Sequence, residues 1–242
     1  MDKLLNGFIW DTMEELEVDV TTPGPREFQY WDDYAELMAR GTIPVVSSNV
    51  AVVRDGKEEA IGHEYLILER NGVKVGVLGL MGGGQFSGAK IPAGVEFAFS
   101  DPFQTAADLV PKLQKEADLV VLLSQMSTAD TQQLVKQVDG IDAALFGHLS
   151  PWVERCTRIG DSEGTVLNQT GTRGQYLGHL VMIVDPDGNL IDFGSKNLLM
   201  DAKVDPDPDL AESVAAIEEK TKEIREEARK ARTRPTPAEA GE

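Results

Sequence analysis

Two side chains that can do chemistry, the Gln125 amide and the His148 imidazole, each follow a short apolar stretch of the sequence. Residues 119–123 are an unbroken apolar run, and residues 141–146 form a second one, so both are predicted to be buried strands. Residues 128–138 carry apolar positions at helical spacing between them. Two strands joined by a helix run parallel, and α/β proteins place their sites at the carboxyl ends of parallel strands. Any chemistry is therefore expected at Gln125 and His148.

The composition excludes several classes of protein. The formal net charge of -18 repels nucleic-acid backbones and anionic membranes, so no nucleic-acid partner is expected. One cysteine cannot form an intramolecular disulfide framework, and this count leaves the compartment open. No stretch approaches the roughly 20 apolar residues of a membrane span. The N-terminus lacks the basic start and apolar run of a signal peptide, so none is predicted.

Further elements follow from local signals. Asn71 and Gly72 predict a tight hairpin between strands at 64–69 and 73–80, because both residues tolerate positive φ. Asp101 and Pro102 predict the start of a helix that ends near residue 116. Short strands are also predicted at 18–20 and 43–46.

A run of three glycines at residues 82–84 suggests a phosphate-binding loop. Such a loop ends in Lys followed by Ser or Thr and leads into a helix, and neither feature is expected here. We therefore predict no phosphate cradle at this run.

The chain is predicted to divide into residues 1–204 as the main domain, a charged amphipathic helix within 205–232, and a disordered tail at 233–242. Asp209 is the expected cap of a helix over about 210–231. A heptad seam runs along this helix at Leu210, Val214, Ile217, Thr221, Ile224, Ala228 and Ala231. The seam fits either a helix laid across its own domain or self-association.

Five stretches in a fixed order carry a family resemblance: IPVVSSNV, NGVKVGVLGLMG, ADLVVLLSQM, VDGIDAALFGHLS and VLNQTGTRGQYLGHL. Together they resemble the catalytic domain of the 5′-nucleotidase and UDP-sugar hydrolase family of calcineurin-like metallophosphoesterases, over about residues 18–201. Five motifs in order are far more specific than any one of them.

This resemblance implies an α/β fold, a four-layer α-β-β-α sandwich followed here by a C-terminal helix. It also implies two divalent metals, Mn, Zn or Mg, that activate a water for attack on a phosphoester. The family's Gly-Asn-His-Glu loop is similar to residues 24–27, so Pro25 and Arg26 replace an amide ligand and a histidine. Gln125 and Ser150 replace two further histidines. His148 keeps its place, and Asn49 is a marginal second metal ligand.

The family's Asp-x-His and Gly-Asp motifs have no counterpart, so the fold is expected to lack its first core strand. A missing strand exposes backbone and apolar surface, which another chain or self-association would cover. The 210–231 helix is the other expected contact surface. The resemblance also leans towards a periplasmic or extracellular location.

Three functions remain open at this point. The ligand losses favour a non-catalytic domain, a structural or interaction module that needs no cofactor. A metal-dependent phosphoester hydrolase, with a single metal at Asn49 and His148 or a site completed in trans, is the second. The third is an anion or nucleotide binder that uses Arg26 as a clamp.

Overall fold

The computed structural model describes residues 2–147, 156–160, 164–186 and 188–232. Contacts divide the chain into two compact units. Residues 18–201 form one unit, and residues 1–17 join residues 202–242 in the other. The first 17 residues thus group with the C-terminal helix, which differs from the expected boundary at residue 204. The expected tail at 233–242 lies outside the described residues.

Helices form where apolar residues recur every three or four positions, so that one face packs against the rest of the chain. The described residues contain the helices α1 (Asp2–Glu15), α2 (Pro25–Gln29), α3 (Trp31–Met38), α4 (Gly83–Ser87), α5 (Pro102–Glu116), α6 (Thr128–Gln137) and α7 (Pro208–Arg232). The strands are β1 (Val50–Arg54), β2 (Lys57–Ala60), β3 (Tyr65–Arg70), β4 (Val73–Met81), β5 (Glu96–Phe99), β6 (Leu119–Gln125), β7 (Ala143–Phe146), β8 (Thr157–Ile159), β9 (Thr165–Asn168), β10 (Tyr176–Val184) and β11 (Leu190–Leu199). The predicted α/β class and the C-terminal helix are confirmed.

The largest sheet has six strands in the order β3-β4-β6-β7-β9-β8. Its four central strands are parallel, and the strands at both edges are antiparallel to their neighbours. The predicted parallel pair is confirmed, because β6 and β7 pair with Val121 opposite Ala143. The predicted hairpin is confirmed as well: Asn71 and Gly72 have φ values of 53° and 80° between β3 and β4.

Helices α5 and α6 cover one face of this sheet. Ala106, Val110 and Leu113 of α5 are buried with Leu134 and Val135 of α6 in a single apolar cluster. Side chains from β4, β6, β7 and β9 complete the cluster. Asp101 caps α5 as predicted, since its carboxylate accepts a hydrogen bond from the Gln104 N–H at 2.9 Å. The β-α-β unit that the sequence predicts, β6-α6-β7, therefore positions the candidate site.

The chain segments before β1 lie close against β4. A Cβ at Gly79 would lie 2.7 Å from the Val46 carbonyl oxygen, so only glycine allows this approach. The strands predicted at 18–20 and 43–46 are wrong. Residues 18–20 are not in a strand, and residues 45 and 46 make only single bridges, Val45 with Thr21 and Val46 with His63. Apolar alternation identified extended chain here, but a strand also needs a continuous neighbour to pair with.

Two smaller sheets complete the unit of residues 18–201. One has the order β2-β1-β5, and the other is an antiparallel ribbon of β10 and β11. A short helix, α4, begins at Gly83 within the glycine run at 82–84, contrary to expectation, although no Lys-Ser or Lys-Thr pair ends that run.

In the other unit, α1 contacts α7. An open cavity of about 370 Å³ lies between them, with Phe8 and Thr12 on one side and Leu210 and Ile217 on the other. Helix α7 begins at Pro208, and its cap is Asp207, whose carboxylate accepts hydrogen bonds from the N–H groups of residues 209 and 210. The predicted cap at Asp209 is therefore wrong. No helix in the described ranges is long and apolar enough to span a membrane.

Candidate functional site

The carboxyl ends of β4, β6 and β7 meet at one edge of the six-stranded sheet. Strand β6 pairs in parallel with both neighbours. The Gly82 N–H donates a hydrogen bond to the Gln125 carbonyl oxygen at 3.2 Å, and the Gly147 N–H donates to the Ser124 carbonyl oxygen at 2.9 Å. The strand ends expected to lie side by side do so. His148, which follows Gly147, lies outside the described residues.

The side-chain amide of Gln125 fills the space between two glycines from different loops. A Cβ at Gly24 would lie 3.3 Å from Gln125 Oε1. A Cβ at Gly147 would lie 3.0 Å from Gln125 Cδ and still closer to Nε2. The loop before α2, the end of β6 and the end of β7 therefore converge on one neutral amide.

The loop before α2 is held by a reciprocal cap. The Gly24 N–H donates to Glu27 Oε2 at 2.9 Å, and the Glu27 N–H donates to the Gly24 carbonyl oxygen at 3.2 Å. Pro25 occupies the first turn of α2, where a missing N–H costs nothing. Burial raises the pKa of the Glu27 carboxyl, while its hydrogen bonds and the charge of Arg26 oppose this rise. Glu27 is thus a structural group that fixes the loop.

Arg26 takes no part in this cap. Its side chain is exposed on α2. Among the described residues, no carboxylate lies within 4.0 Å of its guanidinium, and this includes the neighbouring Glu27. The anion clamp at Arg26 stays a prediction.

Asn49 is buried and fully hydrogen-bonded by backbone groups. Its Nδ2 donates to the carbonyl oxygens of Met81 at 2.9 Å and Ser100 at 3.0 Å. Its Oδ1 accepts from the Met81 N–H at 2.9 Å. The two bonds to Met81 tie the start of β1 to the end of β4, and the bond to Ser100 ties it to the residue after β5. The Asn49 Oδ1 atom therefore already has a structural role, because it accepts a backbone hydrogen bond. Metal binding by Asn49 stays a prediction.

Two further polar contacts support the same edge of the sheet. The hydroxyls of Ser124 and Thr131 are buried and lie 2.7 Å apart, which links β6 to α6. Gln169 Nε2 donates to Thr128 Oγ1 at 3.1 Å, which links the end of β9 to the start of α6. Gln169 was not among the residues predicted from the sequence, although it directly follows the buried strand β9, the same signal that indicated Gln125.

Known proteins resemble this chain in sequence and in fold. It is 28% identical over 163 residues to the trifunctional nucleotide phosphoesterase protein YfkN of Bacillus subtilis, a match that covers 60% of this chain and 11% of that protein. It is 21% identical over 203 residues to a snake venom 5′-nucleotidase of Gloydius brevicauda, covering 74% of this chain and 33% of the relative. The chain thus spans only a third or less of these relatives. No protein family profile matches it.

Two solved structures have the same fold. A 5′-nucleotidase precursor from Thermus thermophilus superposes with a TM-score of 0.80 at 21% identity, over 93% of this chain and 47% of the other. The calcineurin-like phosphoesterase YfkN from Bacillus subtilis superposes with a TM-score of 0.69 at 21% identity, over 92% of this chain and 77% of the other. The chain has the 5′-nucleotidase-like metallophosphoesterase fold. The fold predicted from its motifs is therefore confirmed.

The described side chains of this metallophosphoesterase-like fold do not match the donor set of a two-metal site. Such a site needs several carboxylate, amide and imidazole ligands around two ions ~3.5–4 Å apart. Within the described ranges, no group of three or more His, Cys, Asp and Glu side chains is placed to hold a metal ion. Pro25 offers no donor atom, and the Gln125 amide is packed between two glycines. His148 and Ser150 lie outside the described residues, so their roles stay predictions.

The other two histidines are both exposed. His63 is exposed, and its backbone pairs with residues 45 and 47. His179 is exposed in the middle of β10. Among the described residues, neither histidine belongs to a group of three or more His, Cys, Asp and Glu side chains that could hold a metal ion.

Proposed function

We propose that this chain is a non-catalytic domain with the 5′-nucleotidase-like metallophosphoesterase fold, which acts as a structural or interaction module. The observation that carries the proposal is the environment of Gln125. The family resemblance implies a metal-binding histidine at this position. In this chain the position lies close to the loop at residues 24–27. A neutral amide between two glycines is a poorer ligand than an imidazole for the borderline metals of such sites.

The loop at residues 24–27 supports the same proposal. Catalysis in this fold class, as the resemblance implies it, needs an amide ligand and a histidine in this loop. Pro25 instead starts α2, and Arg26 is exposed. Glu27 caps the loop, so its carboxylate oxygen is engaged with the Gly24 N–H. The residues that remain here hold the backbone, and none of them is the amide ligand or the histidine that the resemblance implies.

The proposal is tested by metal binding at equilibrium. Purified full chain is dialysed against Mn²⁺ or Zn²⁺, with His148→Ala as the matched variant. The proposal predicts far less than stoichiometric metal, equal in both proteins. Near-stoichiometric metal that is lost in the variant would instead favour a hydrolase with a reduced site.

The similar proteins also bear on the location of this protein. A snake venom protein and a precursor are among the similar proteins. We propose that this chain also acts outside the cytoplasm, in the periplasm or the extracellular space.

A further inference from the structure

Strand β10 is largely apolar on both of its faces, although only one face is covered. Gly178, Leu180 and Met182 point to the half-buried inner side of the ribbon. Leu177, Val181 and Ile183 alternate with them and are 57%, 45% and 48% exposed. Strands that are apolar on both faces are normally buried on both faces. The composition of β10 therefore fits a strand whose outer face is covered by something.

The exposed apolar surface of the described residues is concentrated in this part of the chain. Of the eleven large apolar side chains that are strongly exposed, six belong to residues 177–200. His179 also lies on the outer face of β10, between Leu177 and Val181. Three of these six apolar side chains, Leu177, Val181 and Ile183, lie on the outer face of β10. A row of exposed apolar side chains of this kind marks an interaction surface more often than a solvated one.

The outer face of β11 carries charges in an order that complements itself. Asp192, Gly194 and Lys196 share this face and are exposed. Gly194 lies opposite Val181 in the ribbon, and a Cβ on Gly194 would meet nothing within 4 Å. Asp192 lies one step along the strand face from Gly194 in one direction, and Lys196 lies one step away in the other. A negative charge therefore lies on one side of the row formed by Val181 and Gly194, and a positive charge lies at the same distance on the other side.

We propose that the outer face of the β10–β11 ribbon is an interface between two copies of this chain. A two-fold axis across the strands at Val181 and Gly194 places Asp192 of each copy against Lys196 of the other. It also stacks the two Val181 side chains and places the two Gly194 residues opposite each other, where no side chain can clash. Such an isologous contact uses one patch twice, as homodimers commonly do. This proposal does not depend on whether the domain is catalytic.

The size of the ribbon limits the strength of the contact. Nine to ten residues per strand give a face roughly 30 Å long and only two strands wide. This is at or below the low end of specific interfaces, which bury about 600 Å² or more on each partner. The dimer is therefore expected to dissociate on dilution.

Sedimentation equilibrium of the full chain over a wide concentration range tests the proposal. The wild type is expected to show a reversible monomer–dimer equilibrium. Each dimer contains two Asp192–Lys196 contacts. Asp192→Lys or Lys196→Asp makes both contacts a pair of like charges, and each substitution should weaken the dimer roughly tenfold. The double exchange, Asp192→Lys with Lys196→Asp, restores opposite charges and should recover wild-type affinity. Lys112→Asp, on the exposed side of α5, is the control and should leave the equilibrium unchanged.

If the single substitutions weakened the dimer by causing misfolding, the double variant, which carries both, would not recover. Recovery therefore indicates restored pairing of opposite charges. Val181→Ser provides an independent check and should weaken the dimer without altering net charge. A wild type that stays monomeric at every concentration would overturn the proposal. So would single charge variants that associate as the wild type does, or a double variant as weak as the singles.

Discussion

The side-chain amide of Gln125 lies against the backbone of Gly147, where the ends of β6 and β7 meet. The same amide also lies against Gly24, at the start of α2. Three segments that are distant in sequence are thereby packed on one uncharged group. In this metallophosphoesterase-like fold, a structural contact occupies the place where the resemblance implies a metal ligand.

Gly147→Ala is expected to destabilise the protein by about 1–2 kcal/mol, because the new methyl group must displace the Gln125 amide. In a Gln125→Ala background the methyl group has room, so most of this cost should disappear. Urea unfolding of the two single variants and the double variant measures the coupling. Gly84→Ala is the control, since a Cβ there meets nothing within 4 Å. Additive costs would show that the two residues do not compete for space.

Asn49→Ala is expected to reduce the free energy of unfolding by about 3 kcal/mol, since it leaves the buried backbone N–H and carbonyl groups of Met81 without these partners and removes the hydrogen bond to the Ser100 carbonyl. Asn49→Asp keeps the acceptor for the Met81 N–H but loses both donated bonds, so it should also destabilise. Chemical denaturation with and without Mn²⁺ measures both effects. A Mn²⁺-induced stabilisation of the wild type that Asn49→Ala removes would instead identify Asn49 as a metal ligand.

Glu27→Gln tests the buried carboxyl in the cap of α2. Burial raises the pKa of Glu27 above the ordinary value of 4.5, so between these two pKa values the folded state binds more protons than the unfolded state. The contribution of Glu27 to stability therefore falls as pH rises through this window. Glutamine can still accept from the Gly24 N–H and does not ionise. The variant should gain stability relative to wild type as pH rises from about 4.5 towards neutrality.

Thermal unfolding across this pH range checks the prediction. Glu69→Gln, which removes an exposed carboxylate from β3, is the matched control and should not show the same trend. A Glu27→Gln variant that loses stability as pH rises would contradict a raised pKa at this carboxyl.

Local sequence signals predicted the central sheet well. The apolar run at 119–123 gave β6, the residues from 141 gave β7, and Asn71 with Gly72 gave the hairpin between β3 and β4. These elements are fixed by burial on both faces or by turn chemistry, which a short window of sequence contains. The segments at 18–20 and 43–46 failed because strand formation there depends on a distant neighbour.

The site was harder to predict than the sheet. The polar residue after each buried strand correctly indicated the edge at Gln125, and the same rule would have found Gln169. The rule could not show that Gln125 meets Gly24 and Gly147, since the fold alone brings these distant segments together. Likewise, the sequence named Asn49 as a candidate ligand, but its three backbone hydrogen bonds depend on the tertiary fold.

Phosphoester hydrolysis by the full chain tests the central claim most directly. The purified protein is incubated with a nucleoside monophosphate in the presence of Mn²⁺, beside His148→Ala and a protein-free control. A non-catalytic domain predicts phosphate release equal to the protein-free control for both proteins. Metal-dependent turnover by the wild type that His148→Ala abolishes would contradict the account.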